Sequence, residues 1–403
     1  MPASPHAAFT ALTSGNGVSL MAANPGPDLG SHGYEELELR AVGTAVSYDG
    51  PATAPYATRV VVRRPATGGS GTLVAEWLNV SSGSDAAPDW TYLAEEIVRR
   101  GHTWAGVSAQ RVGVEGGEPR VATGLGLSGL KAQDAERYGD LTHPGDEFGY
   151  DIYTQVARGL ATDLGASCVL AIGESQSAYA LTTYLNLVHE GAGLFDGFLV
   201  HSRGRGALHT DAPTPIADVG VPVMVVQTEG DLFGRLSFLA ARQPDAERFR
   251  LWEIAGAAHA DHFQIGEFES FLGCPDPVNR GQQAYVVRAA LRWLEGWARG
   301  GSPAPAGDRL EVEGDGFVLD EHGNVRGGVR TPAVDAPADV LSGYAAPEAS
   351  PICALFGRTL PLAAPAYASH EEYLAAYTAA TDAAIAAGFV LPEDRDAVLA
   401  EAR

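Results

Sequence analysis

Residues 168–180 read CVLAIGESQSAYA, and the fold follows from how this stretch changes character at its centre. Val169, Leu170, Ala171 and Ile172 form an unbroken apolar run, as a strand covered on both faces requires. The run ends in Gly173-Glu174-Ser175-Gln176-Ser177 and passes directly into helix-forming sequence, QSAYALTTYLNLVHEG (176–191). So sharp a strand-to-helix turn needs small residues two before and two after its apex, and Gly173 and Ser177 meet that need. The usual form is G-x-S-x-G, from which Ser177 departs. Ser175 at the apex is lifted above the strand end, at the positive end of the following helix, and is a candidate nucleophile. A serine capping a helix after a buried strand has the same local sequence, so the decision rests on its partners.

A serine nucleophile needs a base, and the base needs an orienting carboxylate. Downstream, VPVMVVQTEGD (221–231) is a strand whose C-terminal end carries Glu229 and Asp231, at the sheet edge where sites form in parallel sheets. Asp231 has the better spacing for the acid, and Glu229 is its competitor. After the strand RFRLWEIAG (248–256), a loop of small residues delivers His259, with His262 in reserve. Oxyanion donors are expected from the Gln176 amide and from the backbone of Asn79 or Val80 in LNVSSG (78–83). His259, Asp261 and His262 crowd into one short loop with no third-ligand spacing, so no metal is assigned. No cofactor is expected.

Further out, strands near 34–48, 56–65, 71–79 and 102–110 precede the 168–175 strand, and others near 196–204, 221–231 and 248–256 follow it. Helices fall between most of them, among them 89–101, 148–165, 235–243 and 279–301. The first two strands read as an antiparallel pair and the rest as crossover units. The expected fold is α/β: a mostly parallel sheet of about eight strands with helices on both faces. Residues 1–33 read as an irregular arm, 34–301 as the core, and 302–403 as an α+β extension packed on it, with a hairpin turning at Gly323-Asn324. The glycine-rich insertion 111–147 is the expected cap. Trp77, Tyr179, Leu125 and Leu127 are the candidate substrate-binding side chains.

Composition bounds the rest. Among 403 residues, 27 Lys+Arg against 50 Asp+Glu give a net charge of −23, and 45% of residues are hydrophobic. That balance builds a large core and argues against nucleic acid and anionic membranes as partners. No apolar run reaches about 18 residues, and the N-terminal residues lack a secretion-signal pattern, so a cytoplasmic location is expected. Cys168 reads as a core residue. Cys274 and Cys353 lie in loops where pairing is feasible, but with no secretion signal, free thiols are the expectation.

Beyond these motifs, EWLNVSSGSDAAPDW (76–90), GVSAQRVGV (106–114), ERYGDLTHPGDEFGYDIYTQ (136–155), GESQSA (173–178), QTEGD (227–231), GAAHAD (256–261), GCPDPVN (273–279) and HGNVRGGVRTP (322–332) resemble the α/β-hydrolase superfamily. The closer resemblance is to the bacterial group described as alpha/beta hydrolase domain-containing. It spans the chain from about residue 34 onward. It implies a Ser–acid–His hydrolase of the serine-esterase kind, acting on a small-molecule ester with no defined natural substrate. It also implies a Cys274–Cys353 bridge, which the N-terminal reading leaves open. An acyltransferase with the same triad, a lyase and a non-catalytic ligand receptor are the alternatives.

Overall fold

A computed structural model describes residues 6–121 and 128–402. Its centre is a nine-stranded sheet: β1 Ala8–Ala11, β2 Tyr34–Val46, β3 Thr53–Pro65, β4 Thr72–Trp77, β5 Thr103–Val107, β6 Cys168–Glu174, β7 Gly197–His201, β8 Val223–Thr228 and β9 Phe249–Ile254. The order is β1-β2-β3-β5-β4-β6-β7-β8-β9. Pairing is antiparallel from β1 to β5 across β2 and β3, and parallel from β5 through β9. This is the mixed, mostly parallel sheet expected, with one strand more. The extra strand is β1, drawn from the arm read as irregular. Ala8–Ala11 pairs with Leu39–Val42 at the edge of the sheet, where one exposed strand needs little apolar sequence of its own.

Helices α1 Pro88–Arg99 and α4 Gln283–Ala298 cover one face; α2 Gly149–Leu164 and α3 Gln176–Leu187 cover the other. Alternation along β6 divides its side chains between them. Val169 and Ala171 enter the core under α2 and α3, whereas Leu170 and Ile172 enter the core under α1 and α4. Glu174 follows Leu170 and Ile172 in that alternation and belongs to the second face. The expected helix at 235–243 is a single 3-10 turn, Phe238–Ala241, because Ser237 is left-handed at φ 50° and interrupts the segment.

The insertion after β5 packs in two directions. Val114, Leu130, Tyr138 and Leu141 form a small core with Ala57 of β3, to one side of the strand ends. Arg120 and Val121 instead donate their amides to Ser81 O, and Arg120 O accepts from Arg235, so this stretch bridges the loops after β4 and β8. Leu125 and Leu127 lie outside the described residues.

The C-terminal extension meets the sheet through Val329, whose backbone bonds to Glu253 and Ala255 along the β9 edge. Its hairpin of named strands, Val312–Glu313 with Gly316–Phe317, turns at Gly314-Asp315, and the expected turn at Gly323-Asn324 is present beyond it. Gly314 supplies the left-handed residue there (φ 60°), and Gly323 makes a second turn beyond it, bridged by Leu319 and Val325. Helix α5, His370–Ala386, completes the extension against Tyr285 of α4.

Cys274 and Cys353 form a disulfide, S–S 2.08 Å, across a sequence separation of 79. The expectation of free thiols is therefore corrected: the fold brings the two loops together, which spacing along the chain does not reveal. Among the described residues no helix is long and apolar enough to cross a membrane. A bridge closing so long a loop stabilises by on the order of 2–4 kcal/mol. Urea unfolding with and without a dithiol reductant should show that loss, and Cys353→Ser should match the reduced protein and not respond to reductant.

Candidate active site

The carboxyl ends of β6, β8 and β9 converge, and three side chains meet there. Ser175 stands between β6 and α3 at φ 59°, ψ −119°, a conformation unusual for a residue with a Cβ. The turn closes because Gly173 lies against Ser177: a Cβ on Gly173 would sit 3.0 Å from Ser177 Cβ and 3.1 Å from Leu181 Cδ1. Ser175 N donates to His201 O on the neighbouring strand, 3.0 Å, tying the apex to the sheet.

Asp231 owes its orientation to the end of β8. Thr228 opens a short helix, Glu229–Leu232, and Asp231 Oδ2 reaches back to accept from Thr228 N at 2.7 Å. Its other oxygen, Oδ1, faces His259 Nδ1 at 2.7 Å. The opposite ring nitrogen, Nε2, lies 2.9 Å from Ser175 Oγ. Asp231 is fully buried and His259 nearly so, while Ser175 keeps partial exposure. Burial lowers the basicity of His259, but the hydrogen bond and charge of Asp231, with Glu174 behind them, outweigh it and raise its pKa above the ordinary histidine value.

The histidine loop is pinned on each side of His259. Ala257 O accepts from Glu229 N, Ala258 O from Gln283 Nε2, and Ala260 N donates to Leu355 O in the C-terminal extension. Glu229 is not the partner of His259. Its carboxyl accepts from the amides of Gly256 and Gly343, joining the β8 turn to the histidine loop and to the extension. Gly343 is required for this approach, since a Cβ there would meet Glu229 Cβ and Gly230 N at 2.5 Å. Tyr344 adds a second clasp, donating to Glu229 O at 2.9 Å and accepting from Phe233 N at 3.0 Å.

The expected oxyanion donors separate by geometry. Gln176 opens α3, where the first amides have no partner within the helix. Asn79 N is already committed to Ala86 O at 2.9 Å, and the Asn79 side chain bridges Ser81 N and Glu174 O. Val80 N points instead at Gln176 Oε1, 3.3 Å away. Of the two loop residues, Val80 thus directs its amide beside the nucleophile.

Tyr179 lies half-buried one turn along α3 from Ser175. Trp77, expected to line a substrate pocket, is buried in the core: it packs on Tyr150 and Tyr153 with centroids 5.3 and 5.1 Å away and donates Nε1 to Gln110. Its place on β4 turns it toward the face under α2. His262 faces Glu269 and not Ser175. Among the described residues no group of three or more His, Cys, Asp and Glu side chains is placed to hold a metal ion.

Unread in the sequence are Glu174, whose Oε1 lies 3.5 Å from His259 Nε2, and a second buried Asp–His pair, Asp89 with His201, at 2.9 Å. His201 is unremarkable in sequence, and only the register of β6 with β7 brings it beside Glu174.

Strand order, elbow and the convergent strand ends define an α/β-hydrolase fold of the hydrolase or esterase type. Residues 4–400 match the family model described as Alpha/beta hydrolase domain, and the chain belongs to that family. Among solved structures it is similar to esterase Est22 (14% identity, 67% of this chain and 82% of that one, TM-score 0.36). It is similar also to an alpha-beta serine hydrolase homologue from Coxiella burnetii (14%, 51% and 84%, TM-score 0.31). A third is the esterase domain of a Rhodothermus marinus protein (12%, 66% and 98%, TM-score 0.32). No curated protein matches.

The Glu229 clasp gives a pH-dependent stability with a definite sign. Burial raises its pKa from 4.5 to about 7, against the two amides that favour the anion. Between those values the folded state holds a proton that the unfolded chain has released, so stability falls as pH rises through that window. Glu229→Gln cannot ionise and should lose this part of the slope. Urea unfolding at pH 5 and pH 8 should therefore show the variant gaining on wild type at the higher pH; an equal difference at both would refute the assignment.

Proposed function

We infer that this chain is a carboxylic ester hydrolase that acts through an acyl-enzyme on Ser175, with His259 as base and Asp231 as its orienting acid. The observation that carries this reading is the continuous chain of contacts from Ser175 Oγ to His259 Nε2 (2.9 Å) and from His259 Nδ1 to Asp231 Oδ1 (2.7 Å). In the neutral imidazole, Nδ1–H donates to the buried carboxylate, which leaves Nε2 to accept the serine proton. Asp231 also stabilises the imidazolium formed as Ser175 attacks the ester carbonyl.

The negative oxygen of the tetrahedral intermediate falls to the amides of Gln176 and Val80. Val80 N is occupied by the Gln176 side chain in the resting site, a weak bond at 3.3 Å that a substrate oxygen replaces. His259 then passes its proton to the leaving alcohol. In the second half-reaction it activates water against the acyl-enzyme, regenerating Ser175. The substrate is a small ester reached across the rim where Arg120 and Arg235 meet and where Tyr179 is half-buried.

Hydrolysis of p-nitrophenyl esters from acetate to decanoate tests the reading. Ser175→Ala should lower kcat by at least about 10³-fold, and Asp231→Asn by about 10⁴-fold through loss of the correct tautomer. Ester turnover undiminished in Ser175→Ala would remove the elbow from the mechanism. Product formed on an added alcohol in preference to water would move the assignment to acyl transfer.

A further inference from the structure

The Asp231–His259 pair has a counterpart. On β7, the strand beside the elbow, His201 pairs with Asp89 of α1 through Nδ1, and both side chains are fully buried. Between the two pairs stands Glu174, the last residue of β6. It is the register partner of His201, which turns both side chains to the same face of the sheet. Its carboxyl Oε1 lies 3.5 Å from His259 Nε2, the atom that faces Ser175 Oγ. His259 therefore has one carboxyl at each ring nitrogen: Asp231 at Nδ1 and Glu174 at Nε2.

Glu174 is held in this place from several sides. Its carbonyl accepts from Asn79 Nδ2 at 3.2 Å, and the amide that follows it is bonded to His201 O. Asp89 is fixed in turn by the start of α1, where Glu76 of β4 accepts from the amides of Asp89 and Trp90. The titratable groups that act on Glu174 are His259, His201, Asp89 and Asp231, and Glu174 acts in turn on Tyr92. Of these, the two imidazoles alone can carry positive charge. A carboxyl buried between two imidazoles responds to their protonation, and they respond to its.

We propose that Glu174 is a positioning residue for the ester reaction: its carboxylate stabilises the His259 imidazolium from the Nε2 side, with His201, its register partner on β7, favouring the carboxylate over the acid. The proposal rests on the assignment of Ser175, His259 and Asp231 above. No bond is made or broken at Glu174. When the Ser175 proton moves to Nε2, the new positive charge forms beside the Glu174 carboxylate, and it is withdrawn again when the proton passes to the leaving alcohol. Burial pushes the Glu174 pKa up to about 7, while His259 and His201 hold it down, so its charge changes in the range where the histidine works. In the opposite direction, Glu174 adds to Asp231 in raising the pKa of His259.

Glu174→Gln keeps the shape and removes the charge. Two readouts on the full-length chain test the proposal. The first is the pH dependence of kcat/KM for p-nitrophenyl acetate. The second is the NMR titration of the His259 ring, assigned by its loss in His259→Gln, which needs no substrate. In Glu174→Gln the acid limb and the His259 titration should both move down by about one pH unit. The plateau of kcat should fall by up to about tenfold, the factor that one pH unit represents. Glu174→Asp, which withdraws the charge by one methylene, should lie between, and it serves as the test if Glu174→Gln does not fold.

A lower plateau with the limb and the titration unmoved would make Glu174 structural only and overturn the proposal. Wild-type protein inert on every ester, with His259 still titrating lower in Glu174→Gln, would retain the coupling and overturn the ester assignment instead.

Discussion

Everything at this site depends on a serine held at φ 59°, ψ −119°. A non-glycine residue in such a conformation costs of order 1–3 kcal/mol and persists only where its surroundings over-determine it. Here they do. The strand before it is buried along its whole length and bonded to β4 and β7 on either side. The helix after it packs its first turn against Gly173, and the apex amide is bonded to His201 O. Relaxing Ser175 would mean shifting β6 or α3 within the largest core of the protein. The strained apex holds Ser175 at the strand ends, where its hydroxyl faces His259 Nε2 at 2.9 Å.

The other two members are held by a different device. Asp231 and His259 lie on loops, and loops do not fix a side chain to a few tenths of an ångström without support. Their support comes from buried polar bonds that link loop to loop. Glu229 joins its own turn to Gly256 and Gly343, Tyr344 clasps both ends of the same turn, and Leu355 accepts from the residue after His259. The C-terminal extension is therefore part of what sets the positions of Asp231 and His259. Its helix Cys353–Phe356 begins at the disulfide and carries Leu355, so the covalent bridge lies two residues from a bond to the histidine loop. Rigidity passes inward from the surface through these contacts.

Much of this was legible beforehand, and the limits have physical causes. The elbow could be read because a strand, a forced tight turn and a helix all write local signals into ten residues. The parallel strands could be read because double coverage leaves continuous apolar runs. Asp231 rather than Glu229 faces His259 because Asp231, three residues beyond Thr228, turns its carboxyl back onto the Thr228 amide, an arrangement written locally into TEGD. Trp77 was misplaced because an aromatic residue beside a site loop looks the same in sequence whether it faces the site or the layer beneath. The Cys274–Cys353 bridge, implied by the family resemblance but left open by the residues themselves, and the Glu174–His201 pairing share one physical cause. Each depends on which distant segments become neighbours, and that is settled by sheet register and by packing of the extension.

The polar interior has a consequence for the chemistry it can favour. Glu76, Asp89, Glu174, Asp231 and Asp261 are all buried, and Asp89, Glu174 and Asp231 face two imidazoles, His201 and His259, in a chain whose net charge is already −23. Burying carboxylates without positive partners is costly, and the usual remedy is to pair them or let them take up protons. On the proposed mechanism the compensating charge exists only transiently, on His259 as it accepts the serine proton, and the carboxyls at its two ring nitrogens, Asp231 and Glu174, favour the transition state over the resting state when ionised. That is differential stabilisation, the only kind that speeds a reaction. The same carboxyls would oppose a negative oxygen on the substrate, so the proposed mechanism requires the two charges to be kept apart: the imidazolium at His259 Nε2, beside the Glu174 carboxyl, and the oxyanion at the Gln176 amide, at the positive end of α3.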